Sequence, residues 1–336
     1  MKVLRLHGAK DLRLHEEPIP RAQEGEVLIR VKAVGICGSD LHWFAEEGIG
    51  DARLAKPLVL GHELAGVIDE GPRLGERVAI DPCITCGKCE FCLQGNPNLC
   101  IAHTFAGHDL TDGGLREYLS WPESFLFSLP DSISDEDGAM LEPLGVALHA
   151  IDLGHLRTGM TIGILGCGPI GILAIQLARL SGAAQVIATD RLAHRLDAAR
   201  LAGADLVFKA EAGSHESAAL MEATQGRGVD VAFEIAGEND AVETAVAVAK
   251  PGGCVVLAGI PAEDRTSFTA SIARRKGLTL RLVRRMKLTY PRAIRLVEKG
   301  SVNVRSIVTD CFPIDESLQA FKLANERKGL KIVINP

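Results

Sequence analysis

The sequence lacks the features that direct a protein into a membrane or toward a nucleic acid. Its 336 residues carry a formal net charge of −6, so the positive excess that suits a nucleic-acid partner is missing. Residues 1–20 are charged throughout and have no apolar core, so we expect no targeting peptide. The apolar run at residues 162–178 is interrupted by four glycines, a proline and a glutamine, which favours a buried strand and helix over a membrane span. We therefore expect a cytoplasmic protein with no membrane or nucleic-acid partner.

A disulfide framework is not expected either. The nine cysteines are an odd number, and without a secretion signal they favour metal ligands and thiols over disulfides. The sequence shows no internal repeat and no low-complexity linker. Its length suits about two domains of roughly 150 residues each, and a hydrophobic content of 47% is enough for two cores.

Two regions of different character follow one another along the chain. In roughly the first 130 residues, short apolar runs alternate with turn residues, which predicts a β-rich unit. From Glu136 onward, helical periodicity over residues 137–154 and 171–181 alternates with β-type runs, the rhythm of a doubly wound parallel sheet. The six runs are residues 161–165, 186–189, 206–208, 229–233, 254–258 and 278–282.

These patterns predict an α/β protein whose β-rich unit covers residues 1–138. The α/β unit should cover residues 139–285. Residues 286–336 contain one or two helical stretches and a terminal strand-like run. They are too few to fold alone, so we expect them to pack on the first unit.

Four cysteines in one short stretch, Cys86-x2-Cys89-x2-Cys92-x7-Cys100, form the most informative motif. Four thiolates can close the tetrahedral shell of a zinc ion and leave no open position, which predicts a structural zinc site. The residues between them are rich in turn formers, which suits a loop wrapped around an ion. A pair of disulfides is the alternative. Cys83 lies just upstream as a fifth thiol with a less suitable spacing.

A glycine motif, Gly166-x-Gly168-x-x-Gly171, follows the β-type run 161–165 and opens a helical stretch. Glycines at these positions permit a tight turn and close approach of a pyrophosphate, which the helix N-terminus attracts. Asp190 lies 19 residues further on, at the end of the next β-type run, where an acid binds ribose hydroxyls. Its charge would repel a 2′-phosphate, so we expect NAD rather than NADP. The alternative is a glycine-rich packing turn with a surface aspartate.

Cys37 with His62 and Glu63 offers a metal ion one thiolate, one imidazole and one carboxylate. Three protein ligands leave zinc a fourth position, which is the pattern of a catalytic site. Ser39 could accept a proton from an alcohol there, and His42 could pass it to solvent. A buried thiol with a surface His–Glu pair is the alternative, but the two motifs above make it less attractive.

Three further groups of charged residues are candidates. Glu142 lies between the two regions and could face an interdomain cleft beside the metal or its water, or it could be a helix-terminal charge. Arg191 and Arg195 follow Asp190 and could contact the cofactor, or they could form a solvated helix start. The basic stretch at residues 274–287 is usually a solvated face, although one or two of its arginines could reach cofactor phosphates or substrate hydroxyls.

Together these residues resemble the zinc-containing medium-chain dehydrogenase/reductase superfamily, and in particular its sorbitol (polyol) dehydrogenase branch. The resemblance runs over essentially the whole chain. It is carried by residues 35–42, 61–66, 86–100, 142–144 and 166–171, and by Arg284-Arg285 ahead of Tyr290-Pro291.

The resemblance implies a GroES-like catalytic domain interrupted by a Rossmann domain, with the active site in the cleft. Cys37, His62 and Glu63 then hold the catalytic zinc together with a water, and Glu142 neighbours that water. The superfamily also suggests a homodimer or homotetramer. Residues implied to line the cofactor are Ile170, Asp190, Arg195, Ala258, Gly259, Ile260, Arg284 and Arg285, beside the three glycines.

The substrate region departs from the branch. Arg285 is implied to reach substrate hydroxyls as well as the cofactor. Trp43 and Met286 stand where the branch often has tyrosines, and both positions lie near the substrate. The identity of the substrate is therefore the open question.

We expect zinc-dependent hydride transfer from a secondary alcohol of a polyol or sugar alcohol to NAD, with two zinc ions per chain. A threonine 3-dehydrogenase-like or simple alcohol dehydrogenase activity is the alternative. A zinc-ribbon binding module belongs to another class, but residues 86–100 contain only Lys88 against Glu90 rather than a basic surface. A zinc-free quinone reductase relative would not need Cys37, His62 and Glu63.

Overall fold

The computed structural model of the protein describes residues 1–211 and 215–336. It separates into two compact units, one made of residues 1–145 and 287–336 and the other of residues 146–286. The domain boundaries predicted from the sequence, after residues 138 and 285, lie near the limits of these two units. The division into domains stays a prediction.

The described secondary structure is predominantly short strands in the first unit and alternating strands and helices in the second. The strands are β1 Lys2–Gly8, β2 Asp11–Glu16, β3 Glu26–Gly35, β4 Gly48–Ile49, β5 Ala52–Arg53, β6 Glu63–Ile68, β7 Arg77–Ile80, β8 Cys83–Ile84, β9 Thr104–Phe105, β10 Tyr118–Pro122, β11 Leu126–Ser128, β12 Thr161–Leu165, β13 Gln185–Asp190, β14 Leu206–Lys209, β15 Val229–Glu234, β16 Ala249–Leu257, β17 Thr279–Leu282, β18 Val308–Pro313 and β19 Lys331–Asn335. The helices are α1 Gly38–Glu46, α2 Glu90–Leu93, α3 Asp135–Ala139, α4 Leu141–Gly154, α5 Pro169–Leu180, α6 Ala193–Leu201, α7 His215–Ala223, α8 Asn239–Val248, α9 Ala270–Lys276, α10 Tyr290–Glu298 and α11 Ser317–Asn325. Short 3-10 turns occupy Pro97–Leu99, Glu123–Phe125, Val304–Ile307 and Ile314–Glu316.

β3 organises the first unit, because it lies inside the seven-stranded sheet β11-β7-β6-β3-β19-β18, where β10 also pairs with it. It is rich in valine and other aliphatic residues that favour strands. Gly35, at its end, is in register with Glu63 of β6 and with Val333 of β19. The start of β6 and the C-terminal strand therefore meet beside residues 35–37.

The C-terminal segment also contributes to the core of the first unit. Phe321 of α11 is fully buried, and its ring centroid lies 5.3 Å from that of Phe44 in α1. The same hydrophobic cluster includes Ile332 and Ile334 of β19 together with Ile29 of β3. The last residues of the chain and the strand that precedes α1 are thus parts of one packed interior.

The helical stretch predicted over residues 137–154 is wrong in one respect, because the structure contains two helices there. α3 ends at Ala139, and Met140 caps it before α4 begins at Leu141. Pro143 explains the break, because its ring would clash with the carbonyl of residue 139 in a continuous helix. In the first turn of a new helix, the missing N–H of Pro143 costs nothing.

The second unit contains a six-stranded parallel sheet in the order β14-β13-β12-β15-β16-β17. Each connection between consecutive strands carries one helix, from α5 to α9. This is the strand order 3-2-1-4-5-6 of doubly wound dinucleotide-binding sheets. All six predicted β-type runs fall on these strands, so the predicted α/β fold class is confirmed. A transmembrane helix needs about 20 apolar residues, and none of the helices in residues 1–211 and 215–336 provides such a span.

Asp230 ties the starts of three neighbouring strands together. It is 7% exposed and accepts hydrogen bonds from the Thr161 amide at 2.8 Å and from Arg227 at 2.7 Å. Lys250 Nζ lies 2.5 Å from its Oδ1. Burial raises the pKa of Asp230, but the bonds from Arg227 and Lys250 prevail and lower the pKa to about 2.

We predict that Asp230→Asn lowers the free energy of unfolding at neutral pH by about 1–3 kcal/mol, because it removes the charge from these bonds. The pKa of Asp230 is lower in the folded than in the unfolded protein, so its contribution is present above about pH 4 and is lost as the pH falls toward 2. Urea unfolding from neutral to acidic pH checks this, and wild type and variant should converge in acid.

Asp197→Asn is the matched control, because Asp197 forms an exposed ion pair with Arg200. It should change stability by less than about 0.5 kcal/mol. A gap between wild type and Asp230→Asn that stays constant in acid would contradict the prediction.

Candidate active site

Cys37, His62 and Glu63 come together in the first unit. Their ligand atoms all lie within 4.8 Å of one another. Cys37 precedes α1, and the pairing of β3 with β6 places Gly35 opposite Glu63. Donor atoms around a tetrahedral zinc are about 3.3–3.8 Å apart for typical zinc–ligand bond lengths, so this cluster can hold such an ion with little movement.

Glu63 has one carboxylate oxygen satisfied and one that is not. The residue is 1% exposed, and its Oε1 accepts a hydrogen bond from Lys331 Nζ at 2.6 Å. Its Oε2 is buried with no hydrogen-bond partner among the described residues. A Cβ on Gly35 would overlap this oxygen. A buried carboxylate oxygen beside a thiol and an imidazole fits a metal ion, because an unpaired buried acceptor is costly.

Asp40 holds the two ligand segments together. It is 1% exposed and accepts hydrogen bonds from the Cys37 amide at 2.9 Å and the Gly61 amide at 3.2 Å. Its Oδ1 also lies 3.5 Å from His62 Nδ1. A carboxylate behind a ligating histidine fixes the ring orientation. No motif in the sequence revealed this role, although Asp40 stands three residues after the N-cap Cys37, where an acidic side chain can cap a helix N-terminus.

The electrostatics of His62 and Asp40 are those of a buried ion pair. Burial lowers the pKa of His62, but Asp40 and Cys37 raise it well above the ordinary value. Burial raises the pKa of Asp40, and His62 with the two amides brings it below its ordinary value. A metal ion would compete with a proton for the same imidazole.

Ser39 and His42 occupy different surroundings on α1. Ser39 Oγ lies 3.4 Å from His62 Nε2, so its hydroxyl is next to the ligand cluster. The side chain of His42 is 24% exposed, and its Nδ1 lies 3.5 Å from Glu46 Oε2. The serine is therefore near the cluster, and the histidine is accessible to water.

Glu142 is a buried neighbour of the cluster, in the first turn of α4. It is 4% exposed and lies outside the set whose ligand atoms are within 4.8 Å of one another. Burial and, to a smaller extent, the charge of Glu63 raise the pKa of Glu142, whereas the charge of His62 lowers it. The resulting pKa is about 7. Its carboxyl group can therefore hold or release a proton near neutral pH.

Phe105 supplies aromatic surface beside the cluster, and Trp43 belongs to the hydrophobic core of the first unit. Trp43 is 1% exposed and meets His108 edge-on at 5.4 Å. Its indole Nε1 has no hydrogen-bond partner among the described residues. Phe105 packs against His62 with ring centroids 5.3 Å apart.

The four-cysteine motif folds into a second cluster in the first unit, whose four sulfur atoms all lie within 4.8 Å of one another. The amides of Cys86 and Cys89 donate hydrogen bonds to sulfurs of the set at 3.3 Å. None of the nine cysteines, all of them in the described part of the chain, forms a disulfide. The arrangement fits a closed four-thiolate shell.

Backbone amides favour thiolate in this cluster. The amide of Cys92 lowers the pKa of Cys89 to about 6, and the amides of Lys88 and Cys89 lower that of Cys86. Burial raises the pKa of Cys92 to about 12. Sulfurs so close together cannot all ionise without a cation between them, which is what a divalent metal provides.

The glycine turn of the second unit has the geometry that the motif predicts. Gly166 has φ +103°, and a Cβ on Gly171 would collide with the carbonyl oxygen of Gly166. A Cβ on Gly168 would meet only Arg195 Nη1, at 3.7 Å. The turn leads into α5, which has Gly168 as its N-cap. Space above Gly168 and a helix N-terminus beside an arginine suit a phosphate group.

Asp190 lies at the end of β13, beside this turn. Its Oδ2 accepts a hydrogen bond from the Cys167 amide and its Oδ1 one from the Leu192 amide, each at 2.8 Å. Arg195 Nη1 lies 4.0 Å from Oδ2. A carboxylate has about four acceptor positions, so ribose hydroxyls can still bind. Arg191 is exposed and lies 3.6 Å from Asp240.

The other predicted cofactor and substrate residues of the second unit follow its strands. Ala258, Gly259 and Ile260 come directly after β16, and Ile170 is in the first turn of α5. Arg284, Arg285 and Met286 follow β17. In parallel sheets, ligands bind at the carboxyl ends of the strands, so these residues belong to the binding edge of this sheet. Met286 is buried, and Arg285 has φ 53°.

Two family models match the chain. The model described as "Alcohol dehydrogenase GroES-like domain" matches residues 23–131. The model described as "Zinc-binding dehydrogenase" matches residues 169–299.

Known proteins are similar over the full length. A sorbitol dehydrogenase of Bacillus subtilis strain 168 is 35% identical over 347 residues, covering 100% of this chain and 97% of its own. A probable D-xylulose reductase A of Arthroderma otae is 36% identical, covering 98% of this chain and 95% of its own. A solved structure described as a zinc-binding dehydrogenase of Sinorhizobium meliloti 1021 bound to NADP superposes with a TM-score of 0.91 at 30% identity, covering 100% of this chain and 99% of its own.

We predict that Gly35→Ala disturbs the cluster, because the new methyl group would overlap Glu63 Oε2 and lie 2.7 Å from Met140 Cε. The free energy of unfolding should fall by about 1–3 kcal/mol, the usual cost of overpacking, and the metal bound per chain should fall. Urea unfolding and metal analysis measure both effects.

Gly38→Ala is the matched control three residues away, because a Cβ there meets nothing within 4 Å. It should leave metal content unchanged and stability unchanged or slightly higher, since alanine suits a helix better than glycine. Equal behaviour of the two variants would contradict the steric argument.

Proposed function

Because the chain belongs to the zinc-containing medium-chain dehydrogenase/reductase superfamily, in its sorbitol dehydrogenase-like branch, we propose that it transfers a hydride from a secondary alcohol of a polyol or sugar alcohol to NAD. The observation that carries the proposal is the cluster of Cys37 with the buried His62 and Glu63 in a chain matched end to end by a sorbitol dehydrogenase. The second relative is named as a D-xylulose reductase, which also favours a polyhydroxylated substrate.

We assign one zinc to this cluster and a second to Cys86, Cys89, Cys92 and Cys100. The first set has three ligands and keeps a position for substrate, whereas the second is closed and structural. Zinc in the first site supplies Lewis acidity that makes an alcohol hydroxyl easier to deprotonate, and NAD supplies the hydride acceptor. The thiols also suit a reducing compartment such as the cytoplasm, and the superfamily favours a homodimer or homotetramer.

Ser39 and His42 carry the proton away in this proposal. The Ser39 hydroxyl lies beside His62, where it can accept the substrate hydroxyl proton and donate its own onward. The partly exposed His42 can receive that proton and release it to water. Glu142, with its pKa near 7, is a buried acceptor for a neighbouring substrate hydroxyl or water.

Several adjacent hydroxyls need several polar partners. Glu142 of the first unit is a buried acceptor, and the resemblance implies that Arg285, whose guanidinium has five donors, reaches substrate hydroxyls. A site that pairs substrate hydroxyls discriminates strongly against analogues that lack them, because its own polar groups are then left unpaired. The alternative, a simple alcohol dehydrogenase, is favoured by the character of Trp43 and Met286, because both side chains are buried and largely apolar.

The substrate test compares xylitol and sorbitol with 2-propanol, ethanol and threonine in an assay of NADH absorbance. A polyol should exceed 2-propanol and ethanol in kcat/KM by at least ~10-fold, which is ~1.4 kcal/mol of transition-state binding. Arg285→Ala should shrink this gap by raising the KM for the polyol while sparing 2-propanol.

Arg274→Ala is the control, because Arg274 belongs to the same basic stretch and is exposed on α9. It should leave the ratio of polyol to 2-propanol turnover unchanged. Equal or better turnover of a monohydric alcohol or of threonine would remove the polyol assignment and retain only the dehydrogenase family.

Asp190 supports NAD as the cofactor. Its carboxylate is at the end of β13 beside the glycine turn, with acceptor positions to spare for two ribose hydroxyls. Its negative charge opposes a 2′-phosphate. The similar structure bound to NADP and the exposed Arg191 are the observations that favour NADP as the alternative cofactor.

We predict that Asp190→Asn lowers the ratio of kcat/KM for NAD to that for NADP by at least ~10-fold, because it removes the charge and keeps the shape. Asp205→Asn is the matched control, since Asp205 also accepts a β13 amide, that of Val186 at 2.7 Å, but at the other end of the strand. A wild type that already prefers NADP would overturn the argument.

A further inference from the structure

Lys331 is the buried cation of the site, and the sequence gives it no motif. Its side chain is 3% exposed, beside that of Glu63 at 1%. Its Nζ donates to Glu63 Oε1 at 2.6 Å and to the Ile36 carbonyl at 3.0 Å. Lys331 thus contacts one candidate metal ligand directly and the residue before another.

We infer that Lys331 is a positioning residue of the metal site, which holds Glu63 through Oε1 and leaves Oε2 as the single oxygen offered to the metal. The inference rests on the proposed function, because it assumes that Cys37, His62 and Glu63 bind the catalytic ion.

The two oxygens of Glu63 have different surroundings. Oε1 is engaged by an ammonium at the distance of a charge-assisted hydrogen bond. Oε2 is buried, has no hydrogen-bond partner among the described residues, and occupies space that a side chain on Gly35 would fill. A carboxylate divided in this way can give one oxygen to an ion while the other stays on the lysine.

Backbone pairing places Lys331 beside the segment that carries Cys37. Lys331 is the first residue of β19, which pairs with the end of β3, and the Ile36 amide donates to the Ile332 carbonyl at 2.9 Å. The lysine is therefore fixed by the same strand pairing that fixes the segment carrying Cys37. The pairing of β19 with β3 thus brings Lys331 to Glu63 through backbone contacts.

The alternative is that Lys331 only neutralises a buried acid. In that case its removal would leave Glu63 uncompensated in the metal-free protein, a bound ion would compensate it, and the coordination of the ion would stay the same. The positioning role predicts the same dependence of stability on metal and, in addition, a change in the coordination of the ion when Lys331 is removed.

The experiment uses the full-length protein stripped of metal and reconstituted with Co²⁺ or Zn²⁺. The variants are Lys331→Met, which removes the charge at similar size, Lys331→Arg, which retains it, and Lys331→Met combined with Glu63→Gln, which removes both charges. Lys328→Met, at an exposed lysine three residues away, is the control for a lost surface charge.

Visible spectra of the cobalt proteins report coordination. Because the four-cysteine cluster is the same in all variants, difference spectra show only the Cys37 site. Lys331→Met should weaken the cobalt d–d bands, since both oxygens of Glu63 can then coordinate and the coordination number rises. Lys331→Arg and Lys328→Met should keep the wild-type spectrum.

Thermal unfolding supplies the second readout. The rise in Tm on adding Zn²⁺ should be about twofold larger in Lys331→Met than in wild type, because the metal-free variant carries the uncompensated charge. The double variant, which has no such charge, should lose this excess. If Lys331→Arg does not fold, the cobalt spectra of Lys331→Met and of the control Lys328→Met still decide the outcome.

Two failures are distinguishable. Wild type that takes up cobalt only with a four-thiolate spectrum would show that the Cys37 site binds no metal and would overturn the proposed function. Wild type that fills both sites, with a Lys331→Met spectrum identical to its own, would overturn the positioning role alone, whatever the change in Tm.

Discussion

The candidate site depends on keeping several charged side chains buried in one small region. Asp40, Glu63, Glu142 and Lys331 are each at most 4% exposed. Burial of a charge is tolerated only when a partner compensates for it. Lys331 and the backbone amides supply part of that compensation. The cluster with Cys37 and His62 lies where a divalent cation would supply the rest.

This requirement explains the arrangement of the first unit. Compensation of Glu63 needs an ammonium with little access to water, and the chain provides it from a strand 268 residues away. Strand β19 is paired with β3, and α11 packs its Phe321 on Phe44 of α1. The C-terminal segment is thus part of the candidate metal site as well as of the hydrophobic core of the first unit.

The elements that could be predicted are those whose reason is local. The glycine turn, the six parallel strands and the four-cysteine motif are written in short spacings, and their geometry follows from the residues within each segment. Asp40 could have been found from its capping position, and the break at Met140 from Pro143. Lys331 could not, because its role arises from strand register, and a lone lysine in a terminal strand carries no pattern.

In the second unit, buried carboxylates are compensated by hydrogen bonds from backbone amides. Asp190 accepts hydrogen bonds from amides of the glycine turn and of the following segment. Glu234 accepts hydrogen bonds from the amides of Ala236 and Gly237 at 2.7 Å. These carboxylates lie at the carboxyl ends of β13 and β15, the two strands that flank β12, where the amides of the loops would otherwise lack partners within the protein. Their bonds keep the loops at the binding edge in one conformation before a ligand arrives. In both units, therefore, buried acids hold loop segments through their backbone amides. A motif revealed Asp190 because its spacing from the glycine turn recurs in dinucleotide-binding sheets, whereas no motif revealed Glu234.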